Sequence, residues 1–179
     1  RDDGSDGSIS TPVPFQSPVD PEKLLADPFL FEHEVILGMA YTGLLVRFKL
    51  EAVNSEGSTL SNNFLSALVA SLPDDPSAAP VRLASSHTSL TVELPIITAD
   101  GGLSLEAYEL VLDNGLAGEY NRVNADHEPA LQRIHHLTKL TNGLVYRLKY
   151  RTRNSLGWSG YSPTASLLVA GIPSPPAKP

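Results

Sequence analysis

The 179-residue chain contains no cysteine. Disulfide frameworks, thiol nucleophiles, iron–sulfur clusters and Cys-based zinc sites are therefore excluded, and the fold must be held by packing and hydrogen bonding. Apolar runs such as LLVA at 167–170 fall far short of the roughly 18 to 20 residues of a bilayer-spanning helix, so membrane insertion is not expected. No Asn-x-Ser/Thr triplet occurs, which leaves N-linked sugar without an acceptor. Ser/Thr/Pro clusters at 8–18 and 173–176 offer O-linked positions if the protein is exported. Also missing are a Gly-x-Ser-x-Gly elbow, a phosphate-binding glycine loop and a carboxylate pair of useful spacing. The five histidines suggest no site. His135 and His136 are neighbours on a strand and point to opposite faces, and His33–Glu34 lacks the second histidine of a zincin helix. The chain is read as non-enzymatic, with no cofactor and no metal. Basic residues are the minority, 13 against 20 acidic, and the net charge of −7 disfavours nucleic acid and anionic membrane surfaces as partners.

What is present is a globular composition, 41% hydrophobic and 18% charged, and an internal repeat. LGMAYTGLLVRFKLEAVNSEG at 37–57 aligns without a gap on LTKLTNGLVYRLKYRTRNSLG at 137–157, matching Leu37 to Leu137, Gly43 to Gly143, Arg47 to Arg147, Lys49 to Lys149, Asn54 to Asn154 and Gly57 to Gly157. The same offset of 100 carries SALVASLP at 66–73 onto SLLVAGIP at 166–173. The repeat unit is thus one small domain, not a solenoid turn.

Within each copy the period is two. Leu144, Tyr146, Leu148 and Tyr150 alternate with Val145, Arg147, Lys149 and Arg151, which describes a half-buried strand. In the first copy Val46, Phe48, Leu50 and Ala52 should share one face and Arg47, Lys49 and Glu51 the other. Further strands are predicted at 81–84, 89–94, 105–112, 119–123 and 131–137, with turns at SSH 85–87, ADGG 99–102, DNG 113–115 and TNG 141–143. Seven short strands in about a hundred residues argue for an immunoglobulin-like β-sandwich. DPEKLLADP at 20–28 is the one fair helix candidate.

On these residues the second copy, 80–173, resembles a complete fibronectin type III module. It has a proline entry, SLTVELP, DGG followed by LEAYELVL, and a closing LTNGLVYRLKYRTRNSLGWSGYS. The resemblance makes Tyr146 the corner tyrosine, with its hydroxyl bonded to upstream backbone. Leu94 stands where the family usually has tryptophan. The first copy resembles the family over 31–73 only. Val46 occupies the tyrosine position, and Tyr41 is nearby but out of phase. Residues 1–30 read as a Pro/Ser/Asp-rich tail or an atypical start of the first module, 74–79 as a Pro-rich linker, and 174–179 as a linker toward a possible next module. The expectation is therefore all-β: tandem immunoglobulin-like/fibronectin type III β-sandwiches, the first incomplete or variant. Half a sandwich exposes its apolar face and strand edges. Three explanations stay open: a piece of a longer array, a shortened variant, or strands supplied by another chain. The first is the most economical, since PSPPAKP at the C-terminus resembles PDDPSAAP at 73–80. An odd strand number strings modules lengthwise, and Pro73, Pro76 and Pro80 favour a semi-rigid joint.

The most distinctive local feature is the row Arg147, Lys149, Arg151 and Arg153 on the outward face, followed by Trp158 and Tyr161. WSGYS at 158–162 resembles the Trp-Ser-x-Trp-Ser motif of cytokine-receptor members of this fold, in which aromatic and arginine side chains stack alternately. The preferred reading is structural, a stacked ladder. The functional one is a binding face for an acidic partner, a sulfated glycan or a neighbouring module. DDGSDGS at 2–8 resembles the start of a calcium loop but has Val13 where a bidentate glutamate belongs. Asp74 and Asp75 could ligate calcium between modules, a minor reading. Together these features suggest an extracellular or cell-surface spacer, adhesive module or fibre-forming subunit. Its partners would be neighbouring modules, identical subunits or glycans. An accessory module of a secreted hydrolase and an intracellular scaffold array are the alternatives.

Overall fold

The computed structural model describes residue 37 and residues 39–123 and 130–173. The helix candidate at 20–28, the calcium-loop-like 2–8 and His33 lie outside these residues. The chain divides into two units, Arg1–Ser71 and Leu72–Pro179.

In the first unit a 3-10 turn, Met39–Tyr41, leads into β1 (Leu45–Phe48), β2 (Glu51–Asn54), β3 (Gly57–Leu60) and β4 (Leu65–Leu68). β1 pairs antiparallel with β4, and β2 with β3. The second unit contains β5 (Val81–Ser85), β6 (Leu90–Glu93), β7 (Ala107–Leu112), β8 (Asn121–Arg122), β9 (Ile134–Leu137), β10 (Val145–Asn154), β11 (Gly157–Trp158) and β12 (Ala165–Leu168). One sheet runs β5-β6-β9; the other runs β11-β10-β7-β8, with β12 also on β10. Arg153 pairs with both Trp158 and Ala107, and Leu148 with both Ala165 and Leu112, so β11 and β12 share one edge of β10 and β7 takes the other. The fold is all-β, as the alternation predicts. The predicted strands at 105–112, 119–123 and 131–137 are present but start later or are shorter, because turns and Asp/Gly-rich connections claim their ends.

The offset of 100 recurs bond by bond. Leu45↔Leu68, Val46↔Ala67, Arg47↔Ser66 and Phe48↔Leu65 in the first unit become Val145↔Leu168, Tyr146↔Leu167, Arg147↔Ser166 and Leu148↔Ala165 in the second. Gly43 N–H donates to the Val69 carbonyl, as Gly143 N–H does to that of Val169. Both glycines hold left-handed backbone, φ 82° and 81°, which explains why the turn keeps Gly in both copies. Asn54 Oδ1 accepts the N–H groups of Glu56 and Gly57, and Asn154 Oδ1 those of Leu156 and Gly157.

The core lies between the two sheets of the second unit. Leu90, Val92, Leu94 and Leu137 meet Tyr108, Leu110, Tyr146, Leu148 and Tyr150, with Val169 and Leu140 closing the ends. Every second residue of β10, from Tyr146 to Asn154, is buried. Leu94 is fully buried at the position where the resemblance expects tryptophan, and a leucine there keeps the slot apolar. The Tyr146 hydroxyl accepts the Thr141 N–H at 3.1 Å, the corner bond that the resemblance implies. His135 is buried and His136 exposed, as adjacent strand residues must be.

The first unit departs from the expectation of one half-buried face. Val46 is buried and Phe48 partly so, but Leu50 is 76% exposed and β2 and β3 are exposed throughout. The strand breaks at Lys49–Leu50 where β10 runs on for ten residues. β10 is straightened by β7 and roofed by the opposite sheet, and no described strand does either for β2.

Leu94→Ala should cost about 2 to 5 kcal/mol in urea unfolding. Leu116→Ala, at a side chain 74% exposed, should stay within about 0.5 kcal/mol of wild type.

Candidate functional site

The alternation of β10 projects Arg147, Lys149, Arg151 and Arg153 from the face opposite the core. Rings interleave with them. Arg147 and Lys149 lie over Tyr120 at 5.3 and 4.4 Å from the ring centroid, and Lys149 and Arg151 over Tyr161 at 4.3 and 4.8 Å. Arg151 and Arg153 lie over Trp158 at 4.7 and 5.8 Å. The order along the face is thus Arg147, Tyr120, Lys149, Tyr161, Arg151, Trp158, Arg153. Each ring is shared by two cations, at the distances where the ring quadrupole attracts them.

The spacing of WSGYS follows from how its serines attach to β10. Ser159 N–H donates to the Thr152 carbonyl while its Oγ accepts the Thr152 N–H. Ser162 does the same with Tyr150. Both serines are buried. Each serine closes a two-bond clip, and the residues just before them, Trp158 and Tyr161, are carried onto the outward face one rung apart.

Acidic residues of β7 and its flanks complete the face. Arg151↔Glu109 is a register pair, and Arg151 Nε donates to Glu109 Oε2 at 2.5 Å. The same oxygen accepts the Tyr161 hydroxyl at 3.2 Å, and Arg122 approaches the other at 3.6 Å. Burial first, then the Glu109 carboxylate, pushes the Tyr161 phenol up from its ordinary range. Asp113 receives the Arg147 N–H at 2.9 Å, Arg147 Nε at 2.7 Å and the Gly115 N–H at 3.0 Å. Burial alone would raise the Asp113 pKa, but the hydrogen bonds from Arg147 and Gly115 outweigh it and hold the carboxyl below the usual range. Arg147 also donates to the Gly118 carbonyl at 3.0 Å, and Arg153 stands 3.8 Å from Glu106.

All six residues singled out from sequence, Arg147, Lys149, Arg151, Arg153, Trp158 and Tyr161, meet on this face, and Tyr146 lies under it in the core. Sequence reasoning missed Tyr120, Glu109 and Asp113. Glu109 lies on β7, and Asp113 and Tyr120 lie in the connection from β7 to β8, whose placement beside β10 is not written in these stretches. Among the described residues the first unit shows a rung of the same kind, Arg47 over Phe64 at 5.2 Å. The calcium reading of Asp74 and Asp75 finds different partners. Asp75 Oδ1 accepts the Gly160 N–H at 2.6 Å and the Asp74 N–H donates to the Ala99 carbonyl, so residue 75 fastens the entry of the second unit to the WSGYS loop. A Cβ at 160 would collide with the Asp75 carboxylate. Among the described residues no group of three or more His, Asp or Glu could hold a metal ion, and no helix is long and apolar enough to cross a membrane.

No protein-family model matches the chain and no curated protein sequence does. Solved structures do. A titin segment, domains A168–A170, superposes with a TM-score of 0.52 at 19% identity over 70% of this chain and 41% of that one. The sixth fibronectin type III domain of human fibronectin type III domain containing protein 3 gives 0.49 at 16% identity, covering 60% of this chain and 95% of its own. Titin module A71 from human cardiac muscle gives 0.45 at 20% identity, covering 53% and 91%. The fold is a fibronectin type III/immunoglobulin-like β-sandwich. The chain spans less than half of the titin segment, and at these identities the likeness concerns fold alone.

Two outcomes test the ladder of this sandwich. Trp158→Ala removes two ring–cation contacts and should cost about 1 to 2 kcal/mol in urea unfolding. Asp113 has its folded pKa below its unfolded one, so its contribution is present above about pH 4 and is lost as pH falls through the folded value. Asp113→Asn should therefore lower stability at neutral pH and flatten the acid limb of a stability–pH profile measured by thermal melts.

Proposed function

We propose that the chain is a non-enzymatic structural and adhesive part of a longer repeat protein, used as a spacer or fibre-forming subunit at the cell surface or outside it. The observation that supports this is the repeat itself. A 100-residue unit recurs with the same register, the same turn glycines and the same Asn-to-backbone bonds, while the outward faces of the two copies differ. A scaffold kept constant under a changing surface suits a protein built by stringing modules together.

The ladder fits the same reading. Its guanidinium groups engage Glu109, Asp113 and the three rings, so the face stiffens the sheet. A sulfated glycan would have to compete with those two carboxylates. Neighbouring modules and identical subunits are the partners this reading implies.

Two measurements check it. An antibody against residues 80–173 should label intact, unpermeabilised cells, and labelling only after permeabilisation would overturn the surface location. Pulled from both ends, the second unit should open in one step that releases about 30 nm of chain. Gradual yielding without such a step would overturn a spacer that carries tension.

A further inference from the structure

The two copies differ most at one strand edge. In the second unit the edge of β10 away from β11 and β12 is covered over 148–153 by β7. At the corresponding residues of the first unit, 48–53, no described strand covers it. Leu50 turns its N–H and C=O toward the β3 side, where Ser61 Oγ and the Ser61 N–H meet them. Glu51 stands opposite Leu60, next to this bonded pair, so its N–H and C=O turn the opposite way, toward the edge that no described strand covers, and pairing would draw the break at Lys49–Leu50 into the strand so that Lys49 does the same. Alternation through a continuous strand would set Phe48, Leu50 and Ala52 on one face, and Leu50 and Val53 are 76% and 64% exposed. Long uncovered edges with apolar residues recruit another strand.

We propose that two copies of this chain join through these edges, antiparallel about a two-fold axis at Leu50. The charge order selects this axis. With Leu50 opposite Leu50, Lys49 of each copy faces Glu51 of the other, and both exchange backbone hydrogen bonds. Moving the axis to Lys49 gives two Arg47–Glu51 pairs but sets Lys49 against itself, and moving it to Glu51 sets Glu51 against itself with no opposite-charge pair beside it. A half-step sets the apolar face of one copy beside the charged face of the other. The contact is isologous and closes on itself. It rests on the structural-module reading and names its partner as a second copy.

Sedimentation equilibrium of the full chain tests it. The mass should rise with concentration from 19.2 kDa to twice that value. Lys49→Glu alone and Glu51→Lys alone should each weaken association about tenfold or more, by turning two attractive pairs repulsive. Mixing the two variants should restore it as a heterodimer, and so should the double exchange in one chain. Both positions are exposed, and circular dichroism checks that the variants fold. A wild-type chain that stays monomeric overturns the pairing. So does a dimer indifferent to the exchanges or not restored by mixing. Either result leaves the structural-module reading standing, because that one is tested by surface labelling and force response.

Discussion

The pairing of β7 with β10 in a single register is the constraint on which the second unit depends. It sets Tyr108 and Leu110 inward beside Tyr150 and Leu148 and places Glu109 outward against Arg151. A slip of one residue would turn the tyrosines to water and the guanidinium groups into the core. Burial and charge pairing thus reject the same wrong registers, one on each face of the strand. Asp113, one residue past β7, fixes the end of the ladder by taking both the backbone and the side chain of Arg147.

The outward face shows how four like charges on one strand are tolerated. Rungs on the same face are about 7 Å apart, close enough to repel. Three rings slot between the cations, and each presents the negative face of its π-system to two of them. The buried carboxylate of Glu109 collects Arg151, Arg122 and the Tyr161 hydroxyl. Its desolvation is compensated by charge-assisted bonds, the condition under which a carboxylate is kept out of water. The serine clips matter as much as the rings, because without them neither Trp158 nor Tyr161 would have a fixed height above the strand.

The first unit shows what the same sequence pattern does where no described strand takes the place of those neighbours. Its pairing of β1 with β4 copies that of β10 with β12, and Val46 is buried where Tyr146 is. Beyond Phe48 the strand breaks and the apolar residues meet solvent. Local bonds such as those of Asn54 persist because they need only a few consecutive residues. Burial fails at β2 and β3 because it needs a second layer, and the described residues supply none there.

Much of this was legible in the residues. Alternation from Leu144 to Arg153 separated core from surface, and the glycine and asparagine spacings marked the turns. The offset of 100 made the two copies one pattern, and Leu94 was readable as a core side chain. All of these are short-range signals, written within a strand or a turn. Tyr120, Glu109 and Asp113 were not legible as ladder members. Nothing in EYNRV or LEAYELVLDNG says which strand they will lie beside, and that is fixed by the order β10-β7-β8. Asp75 reaching Gly160 across 85 residues is of the same kind. The sequence alone determined which face of each strand is apolar, because side-chain direction follows from strand geometry. Only the tertiary structure decided which of those faces is covered and which cation meets which ring or carboxylate, because those are contacts between elements far apart along the chain.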